Sequence, residues 1–401
     1  MRIWRKILIV LCILALISLS GCAVDLSGKS AYMQYEADQR LLYVAFSAGE
    51  EEADPFDYTT IKDYKSEFAP YNSYVLYDTL NNAEQLVYRF LEYALDHSYT
   101  TIFIDERLLA DITLPVKDIL DFLCMDSPFV EQNYNYVRSE TSYTFSYAEG
   151  RYSFDIPGTK LEVNFFSEDK LEKKKEALEA AKQLLQSAPQ DATDLETARW
   201  IYRYLTENVT YHASDQKSQD THYLYDALLN KQTQCDGFAN TFSLLCQLSG
   251  IPCFEKIYSP DTEGVAGHTW NCFLADDVWY NADCALSEGL AEEQRSYGLD
   301  FRFAFSDQRQ EYAPIYSPRL PACSTDLIPT DCILPTPDAP EMISEIRAAF
   351  DRTTQDYILI RFDAGKLPEG ALQTIVDDLQ FGLHSLLFTW GEKSHYFLFK
   401  R

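Results

Sequence analysis

The chain is poor in three things that usually announce a protein's chemistry. It contains no CxxC pair and no HExxH helix, and its six histidines show no paired ligand spacing. Zinc ligands come in such close pairs, so neither a metal site nor a cofactor is expected. Positive charge is scarce as well, with 34 Lys and Arg against 62 Asp and Glu. A surface that acidic argues against holding nucleic acid or an anionic membrane through charge. Long apolar runs are also lacking. The N-terminal run from Ile7 to Leu19 is shorter than the roughly 20 residues a spanning helix needs.

That short run has another meaning. Arg2, Arg5 and Lys6 precede it and small residues follow it, which is the order of a secretory leader. The segment Leu19-Ser20-Gly21-Cys22 resembles the lipobox of bacterial lipoproteins. The resemblance implies removal of residues 1–21, diacylation of Cys22 and an extracytoplasmic, membrane-anchored protein at the cell surface. Two acyl chains anchor firmly, at about 0.8 kcal/mol per buried methylene. Residues 22–31 then read as a tether. Loss of the leader takes away three bases and no acid, leaving 31 bases against 62 acids and a formal charge of −31.

Eight cysteines remain once Cys12 and Cys22 are set aside. An oxidising compartment permits disulfides, but spacing alone does not fix their pairing. Cys272 and Cys284 are a pair worth testing, because both fall on strands expected to face each other.

The flanks alternate helix and strand patterns. In residues 32–166, "NAEQLVYRFLEYALDHS" has four-residue apolar spacing, "YTTIFID" is β-rich, and "LPVKDILDFLCM" returns to helical spacing. "SYTFSYAEGRYSFDI" reads as a hairpin turning at Glu149-Gly150. Residues 336–401 repeat that order, down to a Leu-Pro opening of the second helix at Leu367-Pro368, as at Leu114-Pro115. Proline suits a first helical turn because its missing N–H would have had no partner there. The final hairpin turns around Gly391. Two small α/β modules, read as diverged copies of one another, thus flank residues 167–335. Within that centre, "SEDKLEKKKEALEAAKQLLQSAP" and "TDLETARWIYRYLTENVTY" predict helices, the second opened by Thr193 and Glu196 at capping-box spacing. "PACSTDLIPTDCILPTPDAP" reads as a linker to the last module.

The chemistry concentrates around "QCDGFANTFSLLCQLSGIPCF". Phe238, Phe242, Leu245 and Leu248 recur every three or four residues, and Gly250 and Pro252 stop the pattern. Cys235 therefore starts a buried helix, where unpaired amides and aligned peptide dipoles favour a thiolate. Asp236 opposes that field, so a nearby imidazolium has to supply most of the activation. His268 is the candidate. It opens a strand carrying Trp270, Cys272 and Leu274 on one face, and "DVWYNAD" supplies the partner strand. A two-residue turn at either Ala275-Asp276 or Asp276-Asp277 leaves His268 and Asp283 on one face, whereas a three-residue loop separates them. Asp283 can then orient the ring whose other nitrogen meets the Cys235 sulfur.

Four short motifs in order, "CDGFA", "SGIPC", "GHTWN" and "WYNAD", resemble the transglutaminase-like superfamily. The resemblance covers about residues 167–307. It implies an α+β, papain-like core, with the catalytic helix packed on an antiparallel sheet, and a Cys235-His268-Asp283 triad. It also implies a side-chain oxyanion donor upstream of the nucleophile, for which Gln232, Gln234 and Tyr225 are candidates beside the Cys235 amide. Trp270, Asn271 and Trp279 read as packing and orienting residues, with Trp270 also a candidate to meet the substrate or its oxyanion. The expected partner is a protein or peptide at the cell surface, attacked at a carboxamide or peptide carbonyl. A binding module that keeps the fold without turnover is the rival from another class. A cell-wall cysteine peptidase, in which Cys also precedes His, is the rival among enzymes.

Overall fold

The computed structural model describes residues 24–26, 29–35, 41–45, most of 64–130, 137–144, 155–162, 168–212, 222–259, 267–285, most of 300–327, and shorter segments up to 400. The leader, Cys22 and the helix expected from Leu367-Pro368 lie outside the described residues. Contacts divide the chain into two compact units, Met1–Ala69 with Leu76–Lys175, and Pro70–Val75 with Glu176–Arg401.

The first unit has an antiparallel sheet of β1 (Val24–Leu26), β2 (Lys29–Tyr35), β3 (Leu41–Ala45), β4 (Thr101–Asp105), β5 (Val137–Thr144) and β6 (Asp155–Glu162), in the order β1-β2-β3-β4-β6-β5. Leu26 pairs with Lys29 in the β1–β2 ladder, so part of the stretch read as a tether is strand. Strands β5 and β6 pair from Thr144 and Asp155 outward, and the turn expected at Glu149-Gly150 lies outside the described residues. Helices α1 (Asn82–Asp96) and α2 (Val116–Asp126) bury Val87, Phe90 and Leu91 on one side and Ile119, Phe122 and Leu123 on the other. Each such side chain contributes about 1.5–3 kcal/mol. Pro115 stands one position before α2, as its N-cap. At the far end of α2, Asp126 accepts hydrogen bonds from the amides of Leu76 and Tyr77, and burial pushes its carboxyl up to about 7.

Helix α3 (Glu168–Leu185) runs across the division at Lys175, and α4 (Asp194–Asn208) follows in the second unit, its start carrying the complete capping box of Thr193 and Glu196. The helix was expected to run through Tyr211. Instead it ends at Asn208, and the β-branched Val209-Thr210 pair favours extended backbone. Thr210–Tyr211 forms β7, paired in parallel with β8 (Gln232–Thr233). A single π-type turn, Asp226–Asn230, precedes β8. Then comes α5 (Cys235–Leu248), stopped by Gly250 at φ +82°, a left-handed position that suits glycine.

Helix α5 packs on an antiparallel sheet of β9 (Cys253–Tyr258), β10 (His268–Ala275), β11 (Val278–Ala282) and β12 (Phe303–Phe305), ordered β12-β11-β10-β9. This is the α+β arrangement the motifs implied. The β10–β11 turn is Asp276-Asp277, both at positive φ, which is the two-residue primed turn. A further sheet holds β13 (Cys332–Leu334), β14 (Tyr357–Phe362), β15 (Gly382–Leu383), β16 (Phe388–Trp390) and β17 (Ser394–Lys400). Helix α6 (Pro340–Arg352) precedes β14. The supposed linker is thus part strand, since β13 pairs in parallel with β14. Its apolar Cys332-Ile333-Leu334 run was obscured by the prolines around it.

Candidate active site

Cys235 occupies the first position of α5, after Gln234 as N-cap. Gly237 explains the Cys-x-Gly spacing. A Cβ there would stand 1.8 Å from the Thr233 hydroxyl and 2.9 Å from the Tyr223 carbonyl oxygen. No side chain fits, so the strand that delivers Cys235 can lie flush against the helix it begins. Thr241 reinforces the turn by donating to the Gly237 carbonyl at 2.6 Å.

Strand β10 is fastened to this helix by Asn271, whose amide donates to the Ala239 carbonyl and to the Ser243 hydroxyl, each at 2.9 Å. Phe273 meets Phe242 edge-on from the same face. Alternation then puts His268, Trp270 and Cys272 on the other face. The ring of Trp270 stacks on that of His268, and its indole N–H donates to Asn281 Oδ1 at 3.1 Å. Asn281 belongs to a buried polar network that runs through Lys256 and Asp307. The imidazole is therefore braced by a ring that is itself held by hydrogen bonds.

Asp283 lies one residue beyond β11 and is fully buried. His268 Nε2 is 2.8 Å from its Oδ2, and the ring is also hydrogen-bonded to the Cys235 sulfur. With Nε2 on the carboxylate, Nδ1 is the nitrogen left for sulfur. Burial works against a charged ring. The Asp283 charge, the hydrogen bond to it and the Cys235 sulfur outweigh burial and raise the imidazole to about 10. At neutral pH the proton therefore resides on His268.

A further contact to the sulfur comes from a residue the sequence reading passed over. Tyr211, paired with Thr233 by the β7–β8 ladder, hydrogen-bonds the Cys235 sulfur through its hydroxyl. Burial, then the charges of Cys235, Asp236 and Asp283, pushes the phenol up to about 12, so it remains a donor. Its ring lies parallel to that of Phe238. Reading α4 through to residue 211 hid it; the β-branched Val209-Thr210 step was the available signal. Of the other candidates, Gln232 bonds His212 at 2.7 Å, Tyr225 is buried and stacked on Tyr223, Gln234 caps α5, and Trp270 backs His268.

The Cys272–Cys284 pairing is corrected. Cys272 lies opposite Asn281, Cys284 falls beyond the strand, and the Cys272 sulfur meets Cys323 at 3.4 Å instead. Of the cysteines whose burial is described, Cys124, Cys246, Cys253, Cys272, Cys284 and Cys323 are buried and Cys235 is partly exposed. Among the described residues there is no cluster of three or more potential metal ligands, and no helix is long and apolar enough to cross a membrane.

Residues 179–284 match the model of the Transglutaminase-like superfamily, and the chain carries a transglutaminase-like domain there. The chain is 29% identical over 125 residues to the kyphoscoliosis peptidase of Homo sapiens, covering 28% of this chain and 18% of that protein. It is 26% identical over 140 residues to the Mus musculus protein of the same name, covering 32% and 20%. It thus spans about one fifth of the length of these relatives. Among solved structures, a TGase shares 15% identity at TM-score 0.23, covering 35% of this chain and 43% of that one. The periplasmic domain of TgpA from Pseudomonas aeruginosa, bound to ethylmercury, shares 12% identity at TM-score 0.22, covering 39% and 71%.

Proposed function

We propose that the protein is a cysteine-dependent enzyme that acts on a peptide or carboxamide carbonyl. One observation carries this reading: the His268 ring joins the buried Asp283 carboxylate to the partly exposed sulfur of Cys235. Cys235 attacks the carbonyl carbon as a thiolate, forming the C–S bond. The oxygen takes up the negative charge beside the α5 amides, with the Tyr211 hydroxyl as a second donor. The His268 proton passes to the leaving nitrogen as the C–N bond breaks, and an amine departs from a thioester. A second amine, or water, then gives its proton to His268 and attacks the thioester, which restores the sulfur. The name of the curated relatives, a peptidase, favours water. We further propose that it works outside the cytoplasm on a lipid anchor, facing surface proteins or peptides; the order of basic, apolar and small residues before Cys22 supports this.

The test is to trap the intermediate. After incubation with a glutamine-containing peptide and acid quenching, mass spectrometry should find an acyl group on the Cys235 peptide, released by hydroxylamine. A labelled primary amine should compete with water for it if transfer is the native reaction. A protein that turns over such peptides without ever acylating Cys235 refutes the scheme.

A further inference from the structure

Nothing in the acyl-transfer scheme uses Asp236, yet its carboxylate stands in the first turn of α5 beside the nucleophile. A fixed negative charge there opposes the amide field that favours the thiolate. The structure sets a second imidazole against it. His222 Nδ1 lies 2.7 Å from Asp236 Oδ2, while Asp236 Oδ1 accepts from the Gly237 amide at 2.9 Å. The hydrogen bond to Asp236 raises the His222 imidazole above its ordinary value, against the effect of burial. Asp226, the other acid acting on it, is buried and accepts from Asn230 and from the Tyr223 amide. The close approach at Gly237 determines this placement, because His222 directly precedes Tyr223, whose carbonyl touches that glycine.

We propose that His222 is a positioning residue for the reaction: paired with Asp236, it cancels the one acidic charge adjoining Cys235, so that the helix amides and His268 act on the sulfur undiminished. The proposal rests on the reading of Cys235 as nucleophile. It predicts a sign that a merely structural histidine would not give. Removing His222 should harm the sulfur's reactivity only while Asp236 keeps its charge.

The experiment is the rate of Cys235 alkylation by iodoacetamide near neutral pH, resolved by mass spectrometry, in the full chain and its variants. A unit charge one residue away, screened by half-exposure, changes such a rate by roughly three- to tenfold. His222→Ala should be slower by that factor, His222→Ala with Asp236→Asn should return to within about twofold of the parent, and Asp236→Asn alone should not be slowed. An unslowed His222→Ala, or a double variant as slow as the single one, overturns the proposal. If His222→Ala fails to fold, Asp236→Asn still decides, because a slowed Asp236→Asn would contradict charge cancellation. His268→Ala separates the two readings. If it leaves the rate unchanged, the triad itself fails; if it slows the rate while the His222 series is flat, only the role of His222 fails.

Discussion

Two imidazole–carboxylate pairs are described near Cys235, and they differ in their access to water. The side chains of His268 and Asp283 are 10% and 0% exposed, whereas those of His222 and Asp236 are 32% and 21% exposed. Both contacts are short, at 2.8 and 2.7 Å. Among the described residues, only the buried pair has a hydrogen bond onward to Cys235 and an aromatic ring stacked behind it. The roles proposed for the two pairs follow from that difference in burial. In low dielectric a carboxylate holds a proton on an imidazole strongly enough to move the ring by units, which suits acid–base work. Near water the same pairing is weaker and serves to balance charge.

The largest expected effect follows from breaking the buried pair. His268→Ala should lower acyl transfer or hydrolysis by at least about a thousandfold, and Asp283→Asn by about a hundredfold, in steady-state assays on a peptide substrate. Asp283→Asn should also move the His268 titration, followed by NMR, from about 10 toward the ordinary imidazole range. A raised folded value stabilises the fold fully below the unfolded value near 6.5, and this stabilisation is lost as pH rises toward about 10. The parent should therefore lose stability across that window, and Asp283→Asn should not. Similar activity losses from Asp283→Asn and Asp236→Asn would erase the distinction between the pairs.

A smaller effect belongs to Tyr211. Tyr211→Phe keeps the ring against Phe238 and removes the hydroxyl beside the sulfur. Turnover should fall by about ten- to a hundredfold with little change in KM, because an oxyanion donor acts in the transition state. Alkylation of Cys235, which forms no oxyanion, should fall much less. Equal losses in both assays would mean that the phenol only supports the thiolate.

The legibility of the sequence followed the range of the forces involved. Helix α5, strands β10 and β11, and the shared face of His268 and Asp283 come from local periodicity and turn chemistry, so they could be read directly. The Asp276-Asp277 turn was one of two alternatives, and both preserved the parity that mattered. Tyr211 was missed because its position depends on a two-residue parallel ladder between segments more than twenty residues apart. The same applies to Cys272, whose neighbour Cys323 lies far along the chain. His222 gave no signal of its own, since it meets Asp236 through a close approach that only Gly237 permits.

The claim that an imidazole, held by a buried carboxylate, activates one sulfur is tested most directly by cysteine reactivity. The parent and His268→Ala would be treated with a limiting thiol-directed electrophile at neutral pH, and modification followed at each cysteine. The account predicts that Cys235 reacts first in the parent and that His268→Ala slows that site by tenfold or more, leaving the other cysteines unchanged. Equal modification of Cys235 in the two proteins would contradict it.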